Sequence, residues 1–109
     1  MLWDTVVHQG IIGKDIQFTQ NNRTYRAPIG SVDTRGGHVL ISSPWVAVYK
    51  NDKWIKTTHR NPLCEITKTL SPTEDNSGNI HFPMPALGEG VIFRDEKLDE
   101  KNVEGLGDA

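Results

Sequence analysis

Apolar and polar positions alternate with a period of two in several short stretches of the chain, and turn-forming residues separate them. This spacing is typical of β-strands. In residues 15–27, a tight turn on Asn21 and Asn22 gives an antiparallel hairpin with one apolar and one polar face. Asparagine tolerates the left-handed backbone that such a turn needs. The apolar face of the predicted hairpin pairs Phe18 with Tyr25 and Ile16 with Ala27.

The stretch 38–58 holds the longest apolar run and two of the three tryptophans. Its turn signal is Asn51 and Asp52, and the bend expected at Ser43 and Pro44 separates this hairpin from an earlier strand. Side chains alternate across a strand, so the hairpin has two faces. One face is β-branched and consists of Val46, Val48, Ile55 and Thr57. The other is aromatic and consists of Trp45, Ala47, Tyr49, Trp54, Lys56 and Thr58.

Further short strands complete the predicted fold. Residues 1–10 alternate well enough for a first strand, and Gly36 and Gly37 form a third hairpin turn. No helical crossover separates the strands. We therefore predict an all-β fold: a small antiparallel barrel or a strongly bent sheet of about seven short strands, with a small β-sandwich as the alternative.

The charge distribution divides the chain. The first 70 residues carry nine basic and five acidic side chains, a balance of +4, whereas residues 71–109 carry three and nine, a balance of −6. A length of 109 residues is typical of one domain. We predict a single antiparallel β domain over residues 1–93, followed over residues 94–109 by an acidic C-terminal tail or short helix that buries almost nothing.

Candidate chemistry is sparse. The single cysteine, Cys64, excludes an intrachain disulfide, and the four histidines do not form ligand pairs at zinc-motif spacing. Cys64 and His59 are five residues apart, which disfavours a catalytic dyad on a regular strand. The glycines do not form a phosphate-binding pattern. We predict no metal, no cofactor and no catalytic residues. Without a signal peptide or an apolar membrane span in the sequence, we expect a cytoplasmic location.

The aromatic face is the one constellation with functional content, and its candidate binding residues are Trp45, Tyr49, Trp54 and Lys56. Tryptophan and tyrosine are enriched in protein interfaces, so we expect a non-enzymatic module that binds a protein partner or a second copy of itself. Aromatic rings beside a lysine also suit weak binding of single-stranded nucleic acid. A small enzyme or ligand binder with its site between subunits is the third interpretation. If the rings instead belong to the core, the face has no binding role.

Overall fold

The computed structural model describes residues 1–84 and 88–105. Strands dominate these residues and pair antiparallel, which confirms the all-β prediction. The regular elements in chain order are α1 (Trp3–Gln9), β1 (Asp15–Gln20), β2 (Arg23–Pro28), β3 (Ser31–Arg35), β4 (His38–Ser42), β5 (Val46–Lys50), β6 (Lys53–Thr57), β7 (Cys64–Thr67), β8 (Thr73–Glu74), β9 (Ile80–Met84), β10 (Gly88–Ile92) and a 3-10 helix (Glu100–Asn102).

The strands form two separate sheets. Seven strands have the order β6-β5-β2-β1-β10-β9-β8, and three have the order β3-β4-β7. The predicted barrel of about seven strands is therefore wrong: the described residues form ten strands, and the larger sheet is open, ending at β6 and β8. The chain leaves the larger sheet after β2 and returns to it at β5, so the β3–β4 hairpin joins β7 in a second sheet instead of continuing the first.

The three predicted hairpin turns are confirmed, and so are the two registers that were predicted, those of β1–β2 and β5–β6. Phe18 lies opposite Tyr25, and Tyr49 lies opposite Trp54. The β3–β4 hairpin turns at residues 36–37 and pairs Arg35 with His38. The four residues at the tips of the other two hairpins all have left-handed backbone, with φ of 53° at Asn21, 62° at Asn22, 54° at Asn51 and 63° at Asp52. Asparagine and aspartate accept this conformation at lower cost than most residues, which is why these short sequences specify the turns.

The N-terminal residues form a helix, so the predicted first strand at residues 1–10 is wrong. Trp3 and Val6 are buried three positions apart, with Val7 packed beside them, so one helical face enters the core. The Trp3 ring meets Phe82 edge-on, with centroids 5.3 Å apart. Its indole nitrogen also donates to the Leu70 carbonyl oxygen at 2.9 Å, which fastens α1 to the chain after β7.

Both sheets and α1 bury their apolar faces in one core. Cys64 of the smaller sheet and Met84 of the larger one meet there, with their sulfur atoms 3.8 Å apart. Gly90 of β10 lies opposite Phe82, and a Cβ at that position would come within 2.3 Å of the Phe82 ring. Glycine is thus required at position 90, because any larger side chain would clash with the Phe82 ring. The buried members of the core are Trp3, Val6, Ile11, Ile16, Phe18, Ala27, Ile29, Val39, Ile41, Val46, Cys64, Ile66, Ile80, Phe82, Met84 and Ile92.

After β10 the chain returns across the face of the seven-stranded sheet that points away from this core, here called the outer face. The Leu98 amide donates to Asp15 Oδ2 at 2.6 Å. Further on, Glu104 pairs with the free edge of β6, donating to the Trp54 carbonyl oxygen at 3.0 Å and accepting from the Lys56 amide at 3.1 Å. We expected residues 94–109 to bury almost nothing, but Leu98 and Val103 are half-buried. The division of the chain at residue 93 stays a prediction, and residues 106–109 lie outside the described residues.

A buried ion pair lies beneath this returning segment. Arg26 of β2 is 7% exposed and Asp15 of β1 is 3% exposed, and Arg26 Nε lies 3.1 Å from Asp15 Oδ2. The Phe93 ring covers the Arg26 guanidinium, with its centroid 4.2 Å from Cζ. Glu96 adds a carboxylate oxygen 3.5 Å from Arg26 Nη1. Removing one partner of such a buried pair leaves an uncompensated charge, which costs more than losing an exposed pair.

We expect Arg26→Met to lower the free energy of unfolding in urea by about 3–5 kcal/mol, because Asp15 then stays buried without its cation. Adding Asp15→Asn should restore part of that loss, since asparagine is neutral and still accepts from Leu98. The control is Arg35→Ala, which removes an exposed pair with Asp33 at 2.8 Å and should cost at most about 1 kcal/mol. Equal effects of Arg26→Met and Arg35→Ala would contradict the assigned role of the buried pair.

Candidate functional site

The four predicted binding residues lie together on the outer face, at and beside the β5–β6 hairpin. We call Trp45, Tyr49, Trp54 and Lys56 the aromatic surface. The Tyr49 and Trp54 rings meet edge-on at the hairpin tip, with centroids 5.1 Å apart. At the other end, Lys56 Nζ lies 5.5 Å from the centroid of the Trp45 ring. The two-residue turn fixes this arrangement, because an odd loop length would move the rings to opposite faces.

The aromatic surface is neither part of the core nor a bare platform. Tyr49 is 47% exposed, whereas Trp45, Trp54 and Lys56 are half-buried. Ala47, which lies between the rings on β5, is fully buried. The returning C-terminal segment contributes to this cover, since it passes Lys56 and then pairs with the β6 edge. The part of the aromatic surface that meets solvent most openly is therefore the Tyr49 ring at the hairpin tip.

Acidic residues of the same segment neutralise the lysines of β6. Glu100 forms an ion pair with Lys56, and Glu104 Oε1 lies 3.2 Å from Lys53 Nζ. A shallow hollow of about 120 Å³ adjoins Tyr49 on the opposite side, lined by Arg23, Val48, Tyr49 and Lys50. Arg23 thus places positive charge on the β2 side of the Tyr49 ring, whereas the two glutamates along the β6 edge are paired with lysines.

The Cys64 thiol is not a candidate nucleophile. It is buried in the core, and burial raises its pKa to about 12, so the thiolate is strongly disfavoured near neutral pH. His59 is occupied elsewhere, with Nε2 at 2.9 Å from the Ser43 carbonyl oxygen. Over residues 1–84 and 88–105, no hydrogen bond joins the two side chains. The structure therefore gives no support for Cys–His catalysis.

Within the part of the chain that the structure describes, no group of three or more His, Cys, Asp or Glu side chains is placed to hold a metal ion. In the same residues, no helix has the length and apolar character needed to cross a membrane.

Sequence reasoning missed a charged cluster around His81 on β9. Its Nδ1 lies 3.0 Å from Glu89 Oε1, and its Nε2 lies 2.8 Å from Asp75 Oδ2. The hydrogen bond to Asp75 is the main cause that raises the pKa of His81. The same bond is the main cause that lowers the pKa of Asp75 to about 2. The other Asp75 oxygen accepts the amides of Ser77 and Asn79, both at 2.9 Å. Only the β9–β10 pairing brings Glu89 to this histidine.

This cluster gives a pH dependence that can be tested with His81→Gln. A raised histidine pKa contributes stability that is fully present below its unfolded value of 6.5 and is lost as the pH rises through the folded value. The lowered Asp75 pKa contributes stability that is present above 3.8 and is lost as the pH falls toward about 2. The destabilisation by His81→Gln, measured by urea unfolding, should therefore be largest between about pH 4 and 6.5 and smaller at pH 9.

The control for this prediction is His38→Gln, because among the described residues the exposed His38 forms an ion-pair contact with one carboxylate, that of Glu65 at 3.7 Å. Its effect on stability should change much less with pH. A destabilisation by His81→Gln that is constant from pH 5 to pH 9 would show that the cluster does not hold the imidazolium form.

Comparisons with known proteins add no further identification. Neither models of protein families nor characterised proteins nor solved structures give a match to this chain.

Proposed function

We propose that this protein is a non-enzymatic interaction module that binds a second copy of itself through the aromatic surface. The observation that carries the proposal is the Tyr49–Trp54 ring pair at the tip of a hairpin, with Tyr49 47% exposed. A rigid ring held against a second ring presents a large contact area at little cost in conformational entropy, which favours binding. The two-residue turn holds both rings in place.

Charge around the rings supports a second copy as the partner. In the sheet order, β2 lies on one side of the hairpin, and the free edge of β6 lies on the other. Arg23 of β2 is therefore on one side of Tyr49, and the Glu104 carboxylate, which contacts Lys53, lies on the other. A two-fold axis that lies in the aromatic surface and runs parallel to the strands brings Arg23 of each copy toward Glu104 of the other. Such a contact needs only one self-complementary surface.

The second candidate, weak binding of single-stranded nucleic acid, rests on the hollow in which Tyr49 lies beside Arg23. Stacking on an exposed ring and phosphate attraction are the interactions that such binding uses. The ion pair between Lys56 and Glu100 weighs against it, because it neutralises the lysine of the aromatic surface. The cytoplasmic location expected from the sequence stays a prediction.

Tyr49→Ala tests the proposal, and sedimentation over a range of protein concentrations is the measurement. We expect the wild type to dimerise and the variant to dimerise at least about 10-fold more weakly, a loss of about 1.4 kcal/mol. Because Tyr49 is exposed, unfolding stability should change by no more than about 1 kcal/mol. Tyr49 is a cleaner probe than the half-buried Trp54, whose removal also costs packing.

The matched control is Leu70→Ala, which removes an exposed apolar side chain, 39% exposed, at the α1 side of the molecule. It should leave dimerisation unchanged. A wild type that stays monomeric, or a dimer weakened by Leu70→Ala and not by Tyr49→Ala, would contradict the proposal. Binding of a labelled oligothymidine that needs Tyr49 and weakens steeply with salt would support the nucleic-acid candidate instead.

A further inference from the structure

A cleft of about 220 Å³ opens between the core side of the seven-stranded sheet and the loop that joins β6 to β7, away from the aromatic surface. Apolar side chains form its floor, and polar side chains form its rim. The residues that line it are Phe18, Gln20, Tyr25, Val46, Thr58, His59, Arg60, Pro62 and Leu63. Neither the fold nor the proposed self-association accounts for an open cleft at this position.

Hydrogen bonds hold the rim of the cleft in place. Asn61 accepts from the Ser43 amide at 3.0 Å and donates to the Ser43 carbonyl oxygen at 3.3 Å. His59 Nε2 lies 2.9 Å from the same carbonyl oxygen, and the Leu63 amide donates to the Ile41 carbonyl oxygen at 2.7 Å. The loop between β6 and β7 is thus fastened on both sides of Arg60. A ligand entering the cleft meets a rim that needs little ordering on binding, which favours affinity.

The floor of the cleft suits a flat apolar group. The Phe18 and Tyr25 rings are stacked, with centroids 5.5 Å apart and planes inclined by 25°. Val46 of β5 and Leu63 of the loop complete the apolar lining. Aromatic groups pack favourably beside such rings, because offset and edge-on contacts complement the charge distribution of a π-system.

The rim of the cleft suits an anion. Arg60 is exposed and forms no hydrogen bond or ion pair among residues 1–84 and 88–105, and His59 lies next to it in the rim. Among residues 1–84 and 88–105, no carboxylate lines this cleft, whereas the cleft beside His81 contains Glu89. A guanidinium without a partner binds a carboxylate through two parallel hydrogen bonds, which supplies both charge and orientation.

We propose that this cleft is a binding site for a small aromatic carboxylate, whose ring lies on the Phe18 and Tyr25 side and whose carboxylate meets Arg60. A volume of about 220 Å³ is smaller than the ~300–1,000 Å³ of sites for drug-sized ligands, so the ligand is a single-ring compound. This site is independent of the proposed self-association, because Tyr49 and Trp54 do not line it.

Phenylacetate is the probe, and its neutral analogue phenylacetamide tests the charge requirement. Both are titrated into the ¹⁵N-labelled protein while amide chemical shifts are followed. We expect phenylacetate to shift the amides of residues 58–61 and 63 and of Tyr25 saturably, with a Kd on the order of 1 mM, as is typical for so small a ligand. Phenylacetamide should bind at least about 10-fold more weakly.

Two arginine variants decide whether the rim acts as proposed. Arg60→Gln should remove the preference for phenylacetate over phenylacetamide, whereas the exposed control Arg35→Gln should keep it. Tyr49→Ala should bind phenylacetate like the wild type, which separates this site from the aromatic surface. The proposal is overturned if phenylacetate gives no saturable shifts at residues 58–61 and 63, if both compounds bind equally to the wild type, or if Arg60→Gln retains the preference.

Discussion

The burial of an ion pair on the outer face of the seven-stranded sheet is the constraint on which the rest of this structure depends. The inner face is apolar and closes against the smaller sheet, as a two-sheet core requires. The outer face places Asp15 and Arg26 side by side on the two central strands β1 and β2. Both charges are almost fully removed from water, so each requires its partner and further hydrogen bonds. The chain after β10 supplies these through Phe93, Glu96 and Leu98.

The hydrogen bond between the Leu98 amide and Asp15 determines where the acidic C-terminal segment lies on the sheet. From Leu98 the segment continues past Lys56 to the outer edge of β6, where Glu104 forms backbone hydrogen bonds in the parallel sense. An uncovered edge strand invites uncontrolled pairing with other chains, and the segment occupies this one. It also covers the inner part of the aromatic surface and leaves the Tyr49 ring as its most open part. The exposure of the Tyr49 ring, which supports the proposed self-association, thus depends on the contact between Leu98 and Asp15 on β1.

The sequence predicted the parts of the fold that depend on local interactions. The registers of β1–β2 and β5–β6 follow from two local features. The turn residues accept a left-handed backbone, and apolar and polar residues alternate within ten residues on either side of each turn. The same registers bring Trp45, Tyr49, Trp54 and Lys56 onto one face. In residues 1–10, Trp3, Thr5 and Val7 occupy alternate positions, which predicts a strand. The spacing of Trp3, Val6 and Val7 also places these three side chains on one face of a helix, and the structure has the helix.

Features that depend on long-range pairing could not be predicted. Nothing local to Arg26 indicates that Phe93 and Glu96, about seventy residues later, cover it. The partition into two sheets depends on β4 pairing with β7, and the His81 cluster depends on β9 pairing with β10. The cleft lies between elements that meet only after both sheets have formed. The half-exposed state of the aromatic surface likewise depends on where residues 98–104 lie.

Hydrogen exchange at the Leu98 and Glu104 amides tests the central claim most directly, because both donate hydrogen bonds only if the segment lies on the sheet. In the wild type these amides should exchange at least about 100-fold more slowly than unprotected amides, as expected for a docked segment. In Asp15→Ala, which removes the acceptor of the Leu98 amide, both should lose protection, whereas the β1–β2 amides should stay protected, at a lower level than in the wild type because the buried pair is lost. Unprotected exchange of Leu98 and Glu104 in the wild type, alongside a protected sheet, would contradict the account.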